Sequence, residues 1–478
     1  MIENLWLGTK NVPAESGKTF TVLNPATEEV LAEVADGASA DWMKALDLAH
    51  AAQKPWAAFA PQARHDILMD LFHAVMERKD EFATLMVNEM GKTWKDALAE
   101  VDYGAAYLRW FAGEAIRLPG RYAASPAGNG TITVRPHPVG PCLAITPWNF
   151  PLAMATRKIA PALAAGCTMI VKPAAATPLT MLAFGEVVAE VFARHDVPHG
   201  TLSFITSTDS KNLSKELMDD PRLRKVTFTG STKVGQTLVE QSAKNLQRTT
   251  MELGGNAPFI VCADADMDRV IKGLMVAKMR NNGQTCIAAN RFLVHSSRVE
   301  EFQEKVVDKF QSYVTGYGMD ETTTLGPLVN AEQRDHVAKL VDQAIGAGAT
   351  ALTGGFTPQG PGFFYPATVL TDVKPGADIL KEEIFGPVAV ISTFESLDEA
   401  IERANDTKFG LAAYAFSENA HTVARLANEL QAGMVGLNRG GISDVAAPFG
   451  GIKASGFGRE GGAEGIDHYL ELHYVAQP

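Results

Sequence analysis

One cysteine of this chain lies in a stretch that could present it as a nucleophile. Residues 281–286 read Asn-Asn-Gly-Gln-Thr-Cys, a short polar run that interrupts a helical pattern and ends on Cys286. A free cysteine is often a small, inert core residue. Here, however, Gly283 lets the backbone approach a bound group closely, and the other neighbours are hydrogen-bonding side chains that suit a core poorly. The run therefore predicts a cysteine nucleophile.

A second run could hold a phosphate. Residues 226–235 read as a strand, a glycine turn and the start of a helix. Such a turn brings backbone N–H groups and the positive end of a helix up to a phosphate. Gly230 and Gly235 are spaced G-x-x-x-x-G rather than G-x-G-x-x-G, so an ordinary strand-to-helix turn is the alternative interpretation. Lys172 closes another strand-like run, and ligands of open α/β sheets bind outside such strand ends.

Four further runs accompany the cysteine run. They are Thr-Pro-Trp-Asn-Phe-Pro at 146–151, Met-Glu-Leu-Gly-Gly-Asn at 251–256, Glu-Glu-Ile-Phe-Gly-Pro at 382–387 and Pro-Phe-Gly-Gly at 448–451. Together with residues 281–286, they resemble the active-site signatures of the aldehyde dehydrogenase superfamily. Five motifs in the superfamily's order and spacing are far more specific than any one of them, and the resemblance covers nearly the whole chain.

The resemblance implies covalent oxidation of an aldehyde. An aldehyde carbon gives up hydride readily only after a nucleophile has added to it, so Cys286 would form a thiohemiacetal and then a thioester. The side-chain amide of Asn149 and the backbone N–H of Cys286 would bind the oxyanion. Glu252 would activate water for thioester hydrolysis, because partial burial raises the pKa of a carboxyl group. Relatives that pass the acyl group to coenzyme A lack this glutamate, so the implied product is a free acid.

The resemblance also implies a nicotinamide cofactor. Lys172 would reach the adenosine ribose, Glu383 would hold the nicotinamide ribose hydroxyls, and Phe385 would pack near the nicotinamide. NAD-preferring relatives carry a glutamate three residues after the lysine, where it repels a 2′-phosphate, and here that residue is Ala175. We therefore expect the enzyme to accept NADP. Ala175 permits a preference for NADP but does not exclude NAD. The implied cofactor-binding residues are Thr146, Pro147, Trp148, Lys172, Ala175, Gly230, Ser231, Gly235, Glu383 and Phe385.

The substrate is expected to carry a carboxylate. The runs at 456–461 and 465–472 look like the tail of the succinate-semialdehyde dehydrogenases, a subfamily of the superfamily. Arg157, Arg280 and Ser443 match that subfamily's contacts to the substrate carboxylate. Two arginines recognise a carboxylate without measuring chain length. A dehydrogenase of glutarate or 2-oxoglutarate semialdehyde is therefore an alternative, as is a general aldehyde dehydrogenase.

Both arginines also have a plainer interpretation. Arg157 could be a solvated helix residue, and Arg280 could lie near a helix C-terminus, where the helix dipole favours a cation. A non-catalytic protein that keeps the fold, as some lens proteins of the superfamily do, is disfavoured by the joint presence of the three catalytic candidates.

Mammalian-type members of the subfamily carry a second cysteine two residues after the nucleophile. Here that residue is Ala288, so this redox-switch disulfide is not available.

Composition limits the possible partners and the compartment. The 478 residues are 46% hydrophobic and 21% charged, with a net charge of −12, so the surface should repel nucleic acids and anionic membranes. The four cysteines form no CxxC pair and no His cluster has metal-ligand spacing, which predicts neither disulfides nor a metal site. The first residues lack a signal-peptide pattern, and no run of about 18 apolar residues occurs. We expect a cytoplasmic enzyme.

The order of strand-like and helical runs along the chain predicts an α/β fold with two doubly wound parallel sheets. Short apolar strands alternate with helices between 142 and 262 and again from about 265 to 440. Amphipathic helices are predicted at 40–57, 61–90, 94–116 and 265–280, and an N-terminal strand at 19–23. The resemblance implies a small β extension in which the hairpin at 121–138 joins the C-terminal tail between subunits of a homodimer or homotetramer. The expected domains are a dinucleotide-binding domain (1–121 and 139–251), a catalytic domain (252–441) and an oligomerisation sheet (122–138 and 465–478).

Overall fold

Eight strands form the larger of two doubly wound sheets in residues 2–478, which the computed structural model describes. In spatial order they are Gly456–Phe457, Arg248–Glu252, Lys225–Thr229, Cys142–Ile145, Met169–Lys172, Leu202–Phe204, Leu5–Leu7 and Lys10–Val12. The five strands from Arg248–Glu252 to Leu202–Phe204 run parallel, and the strands beyond them pair antiparallel. Adjacent residues such as Leu143 and Ala144 pack into cores on opposite faces, which explains the unbroken apolar runs in the sequence.

Seven strands form the second sheet. Their spatial order is Thr350–Thr353, Thr368–Thr371, Val388–Phe394, Ala289–His295, Ala257–Val261, Ala412–Phe416 and Met434–Leu437. All neighbours are parallel except the first pair. The predicted α/β class with two parallel sheets is confirmed. Strand Ala412–Phe416 was not predicted from the sequence. Neither were the helices Leu397–Asn405 and Ala420–Glu429, which pack on one face of this sheet.

The predicted helix 61–90 is wrong as a single element. The chain forms two helices, Pro61–Glu77 and Lys79–Met90, separated at Arg78, whose φ of −102° and ψ of 25° are not helical. Both helices bury their apolar faces in one core, so the apolar spacing continues across the break. The polar break contains neither glycine nor proline. Its Arg78 guanidinium instead forms salt bridges with Glu186 and Glu190 of a neighbouring helix.

The other helices cover the two sheets. Those around the first sheet are Ser39–Ala57, Trp94–Ala115, Ala153–Ala165, Leu179–Arg194, Ser210–Asp219 and Thr232–Ser242. Those around the second are Met267–Leu274, Val299–Gln311, Ala331–Gly346, Leu397–Asn405 and Ala420–Glu429. Short 3₁₀ segments lie at Ala243–Asn245, Ser296–Arg298, Asp378–Leu380, Lys453–Ser455 and Glu464–Tyr469. Among the described residues, no helix is long and apolar enough to cross a membrane.

The predicted helix 265–280 ends earlier than expected. Its α-helical part is Met267–Leu274, followed by a π-helical turn Met275–Met279 and a 3₁₀ segment Arg280–Gly283. Asn281 and Asn282 have φ values of 55° and 57°, which no right-handed helix accommodates. The polar residues before Cys286 therefore form a left-handed turn rather than a helix end.

Two small sheets complete the fold. Arg121–Ala124, Thr131–Pro138 and Leu470–Gln477 pair antiparallel, so the hairpin and the C-terminal tail share one sheet, as the resemblance implied. The other sheet contains Ile2–Glu3, Val30–Ala35 and the predicted N-terminal strand Thr19–Leu23. On the hairpin sheet, large apolar side chains are exposed, with Leu472 at 76% and Tyr122 at 73%.

Candidate active site

Two cavities meet at Cys286. The larger, of about 430 Å³, is lined among others by Trp148, Gly230, Ser231, Glu252, Glu383 and Phe385. The smaller, of about 20 Å³, is lined by Tyr103, Phe150, Met154, Arg157, Arg280, Thr285, Cys286, Ile287, Ser443 and Phe449. Cys286 contributes to both linings. A cysteine at this junction can react with a group in the small cavity while a second molecule occupies the large one.

The loop that presents Cys286 is held by its own polar side chains. The Asn282 amide donates to the carbonyl oxygens of Gly91 and Pro327, both at 3.1 Å, and its side-chain oxygen accepts from Gly326 N–H at 2.9 Å. Gly283 has a φ of 75°, and a Cβ there would lie 2.3 Å from the Gly386 carbonyl oxygen. The packing thus explains why asparagines and a glycine precede the nucleophile: these residues form a rigid left-handed turn.

The surroundings of the Cys286 thiol disfavour its thiolate form. Burial raises its pKa to about 12, the Glu383 and Glu252 carboxylates act in the same direction, and the Arg157 guanidinium opposes them. A thiol with this pKa needs a proton acceptor before it can attack. Gly255 lies directly against this residue, because a Cβ at position 255 would lie 2.3 Å from the Cys286 carbonyl oxygen.

Glu252 is a buried carboxyl beside the larger cavity. It ends strand Arg248–Glu252, and neither of its carboxylate oxygens has a hydrogen-bond partner within residues 2–478. Burial, and after it the charge of Glu460, raises its pKa well above the usual value for a glutamate. Gly450 leaves room for this carboxylate, since a Cβ there would lie 2.9 Å from Glu252 Oε1. A carboxyl in this environment is a stronger base than a solvated one.

One N–H group of the Asn149 side-chain amide is available to a ligand. Its Nδ2 donates one hydrogen bond to the Gln284 carbonyl oxygen at 3.0 Å, two residues before Cys286. The second N–H of the same amide has no acceptor among the described residues, and the side chain lines the larger cavity. An amide held this close to the nucleophile can donate to an oxygen that gains charge.

The larger cavity has the features of a nucleotide site. Ser231 caps helix Thr232–Ser242 by accepting from Val234 N–H at 3.4 Å, so the helix N-terminus lies at the cavity. At the other end, Glu383 accepts from Gly255 N–H at 3.1 Å. Burial raises the pKa of this carboxyl to about 8, and the Lys278 cation opposes the shift. Hydroxyl donors would stabilise its charged form.

Phe385 and Trp148 form an aromatic wall of the same cavity. Their rings are 5.2 Å apart in an edge arrangement. Phe385 adopts a φ of 55°, and the Gln333 side chain fixes this backbone by donating to the Phe385 carbonyl oxygen at 3.0 Å. A planar ring such as nicotinamide can pack against this wall.

Lys172 lies at the carboxyl end of strand Met169–Lys172. Burial lowers the pKa of its ammonium to about 8, and the Asp36 carboxylate opposes the shift. The Asp36 carboxylate lies next to the end of the adjacent strand, where it accepts from Thr208 N–H at 2.9 Å and Ser207 Oγ–H at 3.1 Å. The buried, poorly solvated cation of Lys172 is suited to an anionic ligand.

Arg157 is not a solvated helix residue. Its side chain is fully buried, with Nε 2.5 Å from Glu460 Oε2 and the guanidinium carbon 4.3 Å from the Phe449 ring centroid. None of its three nitrogens makes a hydrogen bond of good geometry with any part of the chain that the structure describes. The Glu460 carboxylate offsets the buried charge at Nε, but the N–H groups of Nη1 and Nη2 are costly to bury unless a ligand accepts from them.

Arg280 lies between aromatic rings at the other side of the small cavity. Its guanidinium carbon is 4.9 Å from the centroid of Phe150 and 5.4 Å from that of Tyr103. The Tyr103 hydroxyl is hydrogen-bonded to that of Tyr107 at 2.6 Å. Rings in these positions orient the planar guanidinium without neutralising its charge.

Comparison with known proteins identifies the family. Residues 12–475 match the aldehyde dehydrogenase family. The chain belongs to the aldehyde dehydrogenase family. It is 50% identical over 446 residues to a succinate-semialdehyde dehydrogenase of Paenarthrobacter nicotinovorans, covering 93% of this chain and 98% of that one. It is also 42% identical to a glutarate-semialdehyde dehydrogenase of Pseudomonas putida, covering 97% and 95%.

Solved structures of aldehyde dehydrogenases share the fold. A succinate-semialdehyde dehydrogenase from Burkholderia pseudomallei superposes with a TM-score of 0.96 at 42% identity, covering 99% of this chain and 98% of that one. An Escherichia coli NADP-dependent enzyme superposes equally well at 40% identity. This aldehyde dehydrogenase therefore has the fold that its five motifs implied.

Most of the residues predicted to form the site are brought together. The cavities collect all three catalytic candidates, the three substrate candidates, and Pro147, Trp148, Gly230, Ser231, Glu383 and Phe385. Four cofactor candidates lie outside these linings, namely Thr146, Lys172, Ala175 and Gly235. Gly235 instead faces the sheet, because a Cβ there would lie 2.5 Å from the Leu253 side chain.

Two charged residues next to the site, Lys158 and Glu460, were not predicted from the sequence. Lys158 Nζ pairs with Glu460 Oε1 and donates to Thr229 Oγ1 at 2.6 Å. Helix Ala153–Ala165 is buried along its whole length. Two successive cations in a helix that is otherwise almost entirely apolar were the signal that could have revealed them, since such helices bury charges only when these are paired.

Proposed function

We propose that this aldehyde dehydrogenase oxidises succinate semialdehyde to succinate, with NADP⁺ or NAD⁺ as hydride acceptor. The observation that carries the proposal is the buried Arg157 guanidinium. Its Nη1 and Nη2 have no hydrogen-bond partner among the described residues, and it shares the small cavity with Arg280 and Ser443. A carboxylate accepts bidentate hydrogen bonds from such donors and removes the cost of leaving them unpaired.

The named relatives support a carboxylated aldehyde. Succinate-semialdehyde dehydrogenases of bacteria, a yeast and a plant are 41–50% identical to this chain. Glutarate-semialdehyde dehydrogenases of two Pseudomonas species are 41% and 42% identical, and they support the second candidate, a five-carbon semialdehyde. Both substrates end in a carboxylate, so the arginines fit either.

The chain's own residues account for the steps. After the Cys286 thiol gives its proton to solvent, Sγ adds to the carbonyl carbon, and the resulting oxyanion accepts hydrogen bonds from Asn149 Nδ2–H and Cys286 N–H. When bound, the nicotinamide cofactor supplies the hydride acceptor that turns the thiohemiacetal into a thioester. Glu252 then takes a proton from water, whose oxygen attacks the thioester, and the acid leaves as Cys286 regains its thiolate.

The residues around the larger cavity fit a dinucleotide. Glu383 would accept the ribose hydroxyls, the aromatic wall would hold the nicotinamide, and the N-terminus of helix Thr232–Ser242 would face a phosphate. Lys172 and Ala175 would lie at the adenosine ribose, where no glutamate repels a 2′-phosphate. Relatives named as NADP⁺-dependent succinate-semialdehyde dehydrogenases support NADP as a cofactor.

Replacing Lys172 by methionine is expected to weaken NADP binding about tenfold and NAD binding less than about threefold, since a charge-assisted contact to the phosphate is lost. The pKa of Lys172, about 8 without ligand, adds a pH test. The ammonium is charged below pH 8 and must take up a proton to bind phosphate above it, so NADP affinity should fall as pH rises from 7 to 9. Titration of both cofactors by fluorescence quenching measures both effects. A wild type that prefers NAD by more than about tenfold in kcat/KM, or about 1.4 kcal/mol, would contradict this assignment.

Replacing Arg280 by alanine is expected to lower kcat/KM for succinate semialdehyde by about ten- to a hundredfold, because a charge-assisted contact contributes about 1.5–3 kcal/mol. Butyraldehyde, which has the same carbon count and no carboxylate, should be a poor substrate and nearly indifferent to the change. Arg109→Ala is a matched control, because Arg109 lies over the Phe72 ring, away from both cavities. Equal losses for the two aldehydes in Arg280→Ala would show that Arg280 does not read the carboxylate.

We also propose the division into domains expected from the sequence, and contact between copies of the chain through the hairpin sheet. The two large sheets support a boundary between Glu252, which ends the last parallel strand of the first, and Ala257, which begins the first strand of the second. Exposed Tyr122, Leu472 and Tyr474 support a role of the hairpin sheet in assembly.

A further inference from the structure

A buried ion pair lies behind the active-site loops, outside both cavities. Lys92 and Glu100 are fully buried, and Lys92 Nζ pairs with Glu100 Oε2. Burial is the main influence on Lys92 and lowers the pKa of its ammonium, while the Glu100 charge opposes the shift. Removing two charges from water is so costly that apolar residues of similar volume often stabilise a protein as well or better. Folding stability is therefore a weak explanation for this pair.

The pair holds both ends of the segment that carries the oxyanion donor. Lys92 Nζ donates to the Asn149 carbonyl oxygen at 3.0 Å. Glu100 Oε1 accepts from Leu152 N–H at 2.9 Å and from Ala153 N–H at 3.2 Å, at the start of the helix that contains Arg157. The ammonium also lies 4.4 Å from the centroid of the Phe150 ring, between these two ends.

A second donor reaches the same carbonyl from the nucleophile loop. Asn281 Nδ2 donates to the Asn149 carbonyl oxygen at 2.9 Å and to the Gln284 carbonyl oxygen at 3.2 Å. The Asn149 side chain donates to that same Gln284 oxygen. Both lone pairs of the Asn149 carbonyl are thus occupied, which fixes its peptide plane and with it the direction of its side chain.

We infer that Lys92, acting together with Asn281, is a positioning residue for the oxyanion donor Asn149. The inference rests on the proposed function only in taking the reaction to pass through an oxyanion next to Cys286. Lys92 itself lines neither cavity and touches no reacting atom. Without the two donors the Asn149 peptide can rotate, and its amide N–H no longer points steadily at the oxygen that gains charge. A displacement of about 1 Å in such a group can cost about a hundredfold in rate.

The test compares two variants that both break the ion pair. Glu100→Gln keeps the acceptor for the helix N–H groups and leaves the Lys92 N–H groups on Asn149. The double variant Lys92→Met with Glu100→Gln loses those N–H groups as well. Relative to Glu100→Gln, the double variant should lower kcat/KM by about ten- to a hundredfold. Cofactor affinity and the rate at which iodoacetamide alkylates Cys286 should change by less than about twofold, because neither depends on the oxyanion donor.

A double-mutant cycle with Asn149→Ala separates positioning from general support. If Lys92 acts through the Asn149 amide, adding Lys92→Met to Glu100→Gln with Asn149→Ala should change kcat/KM by no more than about twofold. Should the Lys92 variant fail to fold, Asn281→Gly tests the same carbonyl, since glycine tolerates the φ of 55° at that position. Its loss should likewise vanish once Asn149 is alanine.

Losses of equal size with and without the Asn149 amide would overturn the inference, as would a double variant as active as Glu100→Gln. A wild type that oxidises butyraldehyde but not succinate semialdehyde would instead overturn the proposed substrate. The Lys92 comparison could then be made with butyraldehyde, because the oxyanion forms on either aldehyde.

Discussion

Replacing Cys286 by alanine is expected to abolish aldehyde-dependent reduction of NADP⁺, with a fall in kcat of about 10⁴-fold or more. The reason is that hydride leaves readily only from a tetrahedral carbon, which needs a nucleophile bonded to it. Cys286 is the cysteine at the junction of the two cavities. Absorbance of NADPH at steady state measures the loss, and cofactor affinity should remain.

Cys262 provides a matched control for that variant. It is a free cysteine in the core of the second sheet, and Cys262→Ala should retain turnover. Substantial steady-state activity in Cys286→Ala would refute covalent catalysis through this thiol, whatever the behaviour of the other variants.

Replacing Glu252 by glutamine is expected to separate the two halves of the reaction. The first turnover should still release about one NADPH per active site, followed by a steady state about 10²- to 10³-fold slower, because the thioester forms but water lacks its base. Rapid mixing with succinate semialdehyde measures both phases. Loss of the burst together with the steady state would show that Glu252 is needed before hydride transfer, and so would contradict its assignment to hydrolysis alone.

The raised pKa of Glu252 gives the same prediction a pH dependence. Only the deprotonated carboxylate can accept a proton, so wild-type kcat should rise as pH increases through the pKa of the folded enzyme, which burial moves well above the usual glutamate value. Glu252→Gln should lose this rise. Glu89→Gln is a control, since burial raises the pKa of Glu89 to about 7 but its carboxylate accepts from Leu179 and Thr180 N–H, at the start of another helix.

The site residues that lie within one short sequence motif could be predicted from the sequence. Residues 281–286, 251–256 and 382–387 each place a chemical group next to glycines whose lack of a Cβ the packing requires, as at Gly255 and Gly283. In these runs the residues that shape the backbone are neighbours in sequence of the residue that reacts or binds, so the sequence predicts the turn and its function together.

The charged residues that support the site could not be predicted from a local motif, because their partners are remote in the sequence. Lys158 and Glu460 are separated by 302 positions, and Lys92 lies 57 positions before Asn149. The helix boundary at Arg78 was missed for a related reason: the apolar spacing that predicts a helix continues through both segments, and the break is stabilised by salt bridges to another helix. Tertiary contacts decided both features.

We propose that buried Arg157 and half-buried Arg280 together select an aldehyde with a distal carboxylate. The most direct test is kcat/KM of the wild type for succinate semialdehyde and for butyraldehyde, measured with NADP⁺ under the same conditions. We expect succinate semialdehyde to be preferred by about ten- to a hundredfold or more, the value of at least one charge-assisted contact. Equal kcat/KM for the two aldehydes would contradict the carboxylate site and place the enzyme among aldehyde dehydrogenases of broad specificity.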